Sequence, residues 1–199
     1  MSTHNIVLAS GNRGKQAELE PLLARFGFTL STQADLGIDP AVEDGLTFVE
    51  NALAKARHVA RHSGRPALAD DSGLIVNALG GAPGVHSARY AGPEAIDAAN
   101  NNLLLKALAG ETDRRARFLC VLVLLRSAED PAPLIASGSW EGEILEAPRG
   151  SHGFGYDPLF FDPNLGKSAA ELDREAKAQV SHRGQAVACL LDALGRCVS

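Results

Sequence analysis

Asn5-Ile6-Val7-Leu8-Ala9, then Ser10-Gly11-Asn12-Arg13-Gly14, then Lys15 to Phe26: this stretch reads as strand, polar turn and helix in direct succession. The first five residues are apolar enough for a buried strand. The helix shows Ala17, Leu19, Leu22, Leu23 and Phe26 on one face and is closed by Gly27. Working outward, Phe28 to Thr32 reads as a second strand. Thr47 to Arg61 is a helix, with Thr47 as N-cap and Glu50 at the capping-box spacing. Pro66 to Ala69 and Leu74 to Val76 read as short strands around a polar doublet. Pro93 to Leu108 is helical, with proline at a favoured first position. Ala116 to Arg126 and Leu134 to Leu145 read as long strands joined through residues 128 to 133. Glu171 to Lys177 reads as a short helix, and Gln185 to Leu194 as the last one, entered through Ser181. Strands and helices interleave early and two long strands adjoin later, which predicts an α/β fold with a mixed sheet and flanking helices.

The 199 residues suit one domain with a proper core, or two intimate lobes. Hydrophobic residues make up 45% and charged residues 22%, as in ordinary globular proteins. The longest apolar run, Phe118 to Leu125, has the length of a buried strand and not the ~18 residues of a membrane span. No secretory leader is visible at the N-terminus, so the cytoplasm is the expected location. The net charge of −5 argues against a broad nucleic-acid-binding surface, but leaves room for a few cations focused on a small anion. Cys120, Cys189 and Cys197 show no paired spacing, which argues against a disulfide framework or a zinc knuckle. Cys120 reads as a small core residue.

Ala69-Asp70-Asp71-Ser72-Gly73 fits two readings. One is a plain turn, since Asp, Ser and Gly are turn residues. The other is a place at a strand exit to hold a divalent cation and polarise a water. Successive residues on an extended chain point to opposite faces, so one carboxylate faces the chemistry and the other holds its neighbours. Ser10 to Lys15 offers amides and a helix N-terminus to a phosphate, with Lys15 as a mobile positive charge. Only two residues separate Gly11 from Gly14 and Gln16 follows Lys15, so this is not the Walker NTPase loop. An ordinary strand-to-helix turn is the alternative. Glu50, Asn51 and Lys55 share a helix surface, either as a solvated face or as a polar wall with Lys55 reaching a phosphate. Glu43, in the preceding loop, is placed to approach the same metal as Asp71.

Gly80 to Gly84 and Ser87 to Gly92 read as a glycine-rich loop, with Arg89 making a structural or phosphate contact. Gly153-Phe154-Gly155-Tyr156-Asp157-Pro158 sets an aromatic between glycines, where its face can take a base; the alternative is that Phe154 and Tyr156 are core aromatics. His182 and Arg183 sit at the N-terminus of the last helix, where the dipole disfavours cations, a conflict that points to function. His58 and His62 lack the glutamate of a zinc-protease motif and read as surface residues.

Taken together and in this order, Ser10 to Lys15, Phe48-Val-Glu-Asn-Ala52, Ala69 to Leu74, Gly81 to Gly92, Phe154 to Phe160 and Ser181 to Ala186 resemble the house-cleaning nucleoside triphosphate pyrophosphatases that act on deaminated purines. The resemblance covers nearly the whole chain. It implies an elongated α/β fold over residues 1–199, with two non-independent lobes around a central cleft. It also implies a homodimer, dependence on Mg²⁺, and cleavage between the α- and β-phosphates of inosine, deoxyinosine and xanthosine triphosphates. Asp71 then takes the role of general base and metal contact, with Glu43 a further metal ligand. Ser10, Gly11, Asn12, Arg13, Gly14 and Lys15 form the triphosphate cradle, with Lys55 beside it, and Ser72 touches substrate near the metal. Phe154, Gly155, Tyr156, Asp157, Lys177, His182 and Arg183 form the nucleoside-binding set. The alternatives are a related pyrophosphatase with another base preference and a non-catalytic nucleotide-binding module. Neither nucleic acid nor membrane is an expected partner.

Overall fold

The computed structural model describes residues 4–94 and 96–197; residues 1–3, 95 and 198–199 lie outside it. Strand β1 (His4–Leu8) is followed by helix α1 (Arg13–Ala24), strand β2 (Phe28–Thr32), helix α2 (Phe48–Ser63) and strand β3 (Ala67–Val76). Helix α3 (Asp97–Ala107) precedes the long strands β4 (Arg115–Leu125) and β5 (Leu134–Ile144). Short strands β6 (Phe160–Asp162) and β7 (Lys167–Ser168) come next, then helices α4 (Arg174–Val180) and α5 (His182–Cys197). The strand order is β2-β1-β3-β4-β5-β6-β7. β1 pairs in parallel with both β2 and β3, whereas β5–β6 and β6–β7 are antiparallel, so the sheet is mixed as expected.

The burial pattern follows from this pairing. Ile6, Val7 and Leu8 of β1 are all buried, as in a parallel strand covered on both faces. In β5 Ala136, Gly138, Trp140, Gly142 and Ile144 are buried and the residues between them are more open, the period-two signature of a strand with one wet face. Gly142 is required there: a side-chain carbon would lie 2.5 Å from the Phe161 carbonyl.

The chain forms two compact units, and it passes from one to the other within β3, β4 and β5 and again between His182 and Arg183. The first comprises residues 1–71, 120–138 and 183–199. Its core joins Ile6 and Leu8 of β1 to Leu19 and Leu23 of α1, Leu122 and Leu124 of β4, and Val187 and Leu190 of α5. The second comprises residues 72–119 and 139–182. Its core gathers Leu74, Leu104, Phe118, Trp140, Tyr156, Phe160 and Leu172. Phe118 packs on Phe160 with ring centroids 4.6 Å apart, and the Trp140 indole donates to Asp162 across 2.8 Å.

Several expectations need correction. Asp70 to Gly73 is no turn: β3 runs straight through it, because the apolar residues on both sides are buried in one continuous strand. α1 begins at Arg13, two residues earlier than expected, because Asn12 caps it by accepting from the Lys15 amide at 3.1 Å. α3 starts at Asp97 after an extended Ile96, so Pro93 is not its first residue; Ala95, inside the expected range, lies outside the described residues. Glu171 closes a 3₁₀ turn over Ala169–Glu171, and α4 starts afresh with Asp173 as its cap. α5 begins at His182 and runs past Leu194 to Cys197. The Thr47–Glu50 capping box forms as the spacing predicts.

Candidate active site

In the first unit, alternation along β3 sends the two aspartates to different partners. Asp70 is wholly buried. One of its oxygens meets the Lys15 ammonium at 2.6 Å, and the other accepts from Arg183 Nε at 2.8 Å and from the Cys120 thiol at 3.3 Å. Arg183 also pairs with Glu18 of α1. Burial alone would raise the Asp70 pKa, but Arg183 and Lys15 outweigh it and hold the carboxyl well below the ordinary range. Burial likewise opposes the charge on Arg183, and Asp70 with Glu18 more than restores it. The Cys120 thiol is pushed up by burial and by Asp70. A planar guanidinium serves two carboxylates at once here, a task that suits Arg and not Lys.

Asp71 has a different setting. Its Oδ1 meets Lys55 Nζ at 2.6 Å, with both side chains largely buried. Its Oδ2 is buried and has no hydrogen-bond partner among the described residues. Lys55 also donates to the Asp70 carbonyl at 3.0 Å and lies 3.5 Å from Glu43. Burial raises the Asp71 pKa above its ordinary value against the pull of Lys55 and Lys15, and Glu43 adds to the rise. The loop carrying Glu43 is fastened by Asn51, which accepts from the Gly45 amide at 2.9 Å and donates to the Gly45 carbonyl at 3.3 Å. Asn51 and Lys55 are thus buried, which corrects the reading of Glu50, Asn51 and Lys55 as one surface; only Glu50 stays exposed, in the capping box.

These carboxylates suit a hard divalent cation. Among the described residues no three His, Cys, Asp or Glu side chains cluster in a metal-holding arrangement. Mg²⁺ needs only one or two carboxylates beside waters and substrate oxygens. Asp71, through its oxygen without a hydrogen-bond partner, and Glu43, against the same lysine, are the carboxylates that could hold a divalent cation.

The turn before α1 is polar and self-bonded. Ser10 Oγ accepts from the Asn12 amide at 3.1 Å, and Gly11, Asn12 and Arg13 are exposed. The amides of Arg13 and Gly14 precede any acceptor the helix itself supplies. Lys15 is not mobile as expected: Asp70 holds it, and its side chain is only 13% exposed.

In the second unit, Phe154 stands between Gly153 at φ +77° and Gly155 at φ +61°, a backbone that L side chains resist. Its amide donates to Asp157 Oδ2 at 2.9 Å. The same oxygen takes Lys177 Nζ at 2.5 Å, and that ammonium lies 5.1 Å from the centre of the Phe154 ring. Phe154 is half-buried. Tyr156 is a core residue whose hydroxyl donates to the Ser87 carbonyl at 2.8 Å, and burial pushes its pKa up. His182 is buried with its ring stacked on Phe118, centroids 4.8 Å apart. Ser72 is half-buried in β3. Just beyond it, Ser87 Oγ accepts from the Leu74 amide at 2.9 Å, and Gly73 leaves room for that contact. Arg89 is half-buried at the end of the 3₁₀ segment Gly84–Arg89.

The structure therefore brings Lys15, Asp70 and Arg183 together, and separately Glu43, Lys55 and Asp71; Phe154, Asp157 and Lys177 form a third set. Sequence reasoning missed Glu18, and it placed Asn51 on a polar helix face without its hold on the Gly45 loop. Glu18 lies three residues after Lys15 on α1, a spacing that puts both on one face, and that was the available signal.

The Ham1 family model matches residues 6–193. A dITP/XTP pyrophosphatase of Shigella flexneri is 59% identical over 191 residues, covering 95% of this chain and 97% of that protein. One of Halorhodospira halophila is 60% identical, with 95% and 96% covered. The solved structure of a HAM1 protein from Coxiella burnetii is similar at a TM-score of 0.90 and 49% identity, covering 98% of this chain and all of that one. A dITP/XTP pyrophosphatase structure from Mycobacterium abscessus matches at 0.73 and 38%, with 98% of each chain covered. Matched by the family model over nearly its whole length and by relatives at about 60% identity, this chain belongs to the Ham1 family.

Proposed function

We propose that the chain hydrolyses deaminated purine nucleoside triphosphates, inosine, deoxyinosine and xanthosine triphosphates, to the monophosphate and pyrophosphate. The observation that carries this reading is the buried Asp71 carboxylate, fixed by Lys55 through one oxygen with the other oxygen unused. The relatives named dITP/XTP pyrophosphatase supply the substrate class.

Phosphoanhydride hydrolysis needs an aligned water, cations on the phosphate oxygens and a base. Asp71 orients the water and takes its proton as the water oxygen bonds to phosphorus and the α–β anhydride breaks. Glu43 and Asp71 would hold Mg²⁺, which when bound supplies positive charge to the phosphates. The turn Ser10 to Gly14, exposed at Gly11 to Arg13, and Lys15 cradle the triphosphate, and Ser72 touches it near the metal. Lys55 works chiefly through Asp71. Phe154 stacks on the base, Lys177 supports it, and His182 with neighbouring amides donates to the purine carbonyl. Asp157 holds the Phe154 amide and Lys177 in place, while Arg183 supports Asp70. Residues 1–199 act as a single functional domain.

A donor-lined base site leaves the adenine amino group mispaired, and sites built on hydrogen bonds reject such mismatches by ~10⁴-fold. Among the described residues no helix is long and apolar enough to cross a membrane. A cytoplasmic homodimer that binds no nucleic acid completes the reading, and light scattering on the purified protein tests the dimer. The central experiment measures pyrophosphate and orthophosphate released from inosine, xanthosine, guanosine and adenosine triphosphates with Mg²⁺. Pyrophosphate release favouring the first two is expected; equal rates on all four, or orthophosphate as product, would falsify the assignment.

A further inference from the structure

Gly155 is gripped from both sides by one helix. Its amide donates to Asp97 Oδ2 at 2.6 Å, and its carbonyl accepts from Asn101 Nδ2 at 2.9 Å. Asp97 and Asn101 lie four residues apart on α3, hence one above the other on a single face. Among the described residues Ile96 caps that helix with no side-chain bond, so Asp97, its first residue, directs its carboxylate to the loop. On the other side of Phe154, Asp157 fastens the Phe154 amide and accepts from Lys177. The backbone of Phe154 is therefore held at its own amide, at the next amide and at the next carbonyl. Gly155 lies at φ +61°, and a side-chain carbon there would meet nothing within 4 Å, so its two hydrogen bonds and not close packing fasten it.

We propose that Asp97 and Asn101 are positioning residues that set the plane of the Phe154 ring for the purine of the bound nucleotide by holding the amide and carbonyl of Gly155. The inference rests on the reading of Phe154 as the base platform. Stacking depends on ring orientation, and a ring on a glycine-flanked loop has no orientation of its own unless the loop is pinned. Asp97 and Asn101 touch no reacting atom, so they act on nucleotide binding and not on the breaking bond.

The test is steady-state pyrophosphate release from inosine triphosphate with Mg²⁺, using Asp97→Ala, Asn101→Ala, Asp97→Asn, Phe154→Ala and the double variant Asp97→Ala/Phe154→Ala. Asp97→Ala and Asn101→Ala should each raise KM about three- to tenfold, the size of one lost hydrogen bond, with kcat within about twofold of wild type. Asp97→Asn should stay near wild type, because its amide oxygen still accepts from Gly155. With the ring already gone, Asp97→Ala should add nothing to the KM of Phe154→Ala. If Phe154→Ala leaves KM unchanged, the platform reading fails and the inference falls with it. If Phe154→Ala raises KM while Asp97→Ala and Asn101→Ala do not, the inference alone is overturned. It is overturned as well if Asp97→Ala raises KM equally with and without the ring. Should Asp97→Ala fail to fold, Asn101→Ala alone and combined with Phe154→Ala carries the same comparison.

Discussion

Lys55 holds Asp71 by one oxygen only, at 2.6 Å, and the second oxygen of that buried carboxylate has no hydrogen-bond partner among the described residues. A carboxylate buried merely for structure has both oxygens satisfied, because an orphaned acceptor costs ~1–3 kcal/mol. This one is fixed in direction through one oxygen and keeps a second, buried acceptor, and its proposed role rests on that acceptor. Asp70, one residue earlier, has partners on both oxygens and is complete without any ligand.

Asp71→Asn should therefore lower turnover of inosine triphosphate by about 10²–10⁴-fold, the usual worth of a positioned base. The amide is isosteric and Lys55 can still donate to its oxygen, so the fold should persist. Circular dichroism and pyrophosphate release on the same preparation check both halves. Near-normal turnover removes Asp71 from the chemistry.

Lys55→Met should make the stability of metal-free protein fall more steeply with rising pH. The folded Asp71 pKa lies above the ordinary value of 3.8, mainly through burial, and Lys55 is the main force opposing that rise. Above 3.8 the unfolded chain has lost this proton while the folded protein keeps it, so ionisation of the buried group costs stability as pH rises through the folded value. Removing Lys55 lifts the folded value further and widens the window. Urea midpoints against pH in chelator would show it, and Asp71→Asn in the same background should flatten the curve.

Asp70→Asn acts in the opposite direction. Arg183 and Lys15 keep the folded Asp70 pKa well below 3.8 despite its burial. Its contribution is fully present above 3.8 and is lost as pH falls through the folded value. The variant leaves two cations facing a neutral amide, so it should cost ~3–5 kcal/mol near neutral pH, as a broken buried pair does. It should also lose part of the wild-type decline in acid. Urea unfolding at about pH 7 and in acid measures both; a variant as stable as wild type at neutral pH contradicts the central place given to Asp70.

Much of this was legible in the chain. The strand–turn–helix opening, the capping box at Thr47 and the two long strands rest on periodicity and local chemistry, and both survive folding. The doublet was legible as two carboxylates with different duties, because alternation on an extended chain is local geometry. Its residence inside a strand was not, since Asp-Asp-Ser-Gly has turn propensity and only pairing within the sheet overrides it. β6 and β7, of three and two residues, carry too little pattern to be seen without their partners. Arg183 reads as functional in the sequence because its charge conflicts with a helix N-terminus, and the resemblance makes it a nucleoside ligand. The conflict is real, but Asp70, 113 residues away in sequence, and Glu18 resolve it inside the protein.

Asn51→Ala should raise the Mg²⁺ concentration needed for half-maximal activity and leave kcat at saturating metal close to wild type. Asn51 closes two hydrogen bonds on Gly45, and Glu43 lies two residues before that anchor. Gly45 presses so closely that a side-chain carbon there would sit 2.7 Å from the Asn51 oxygen, so the loop and the amide fit as one piece. Without the amide the loop carrying Glu43 is free to sample other positions, while Asp71 keeps Lys55. Loss of such an outer support typically weakens metal affinity by about 10–100-fold. A Mg²⁺ titration of inosine triphosphate hydrolysis reads the shift directly. Glu43→Gln provides the reference: the two variants should move the metal requirement in the same direction, and an Asn51→Ala enzyme with an unchanged Mg²⁺ requirement would separate the loop from the metal.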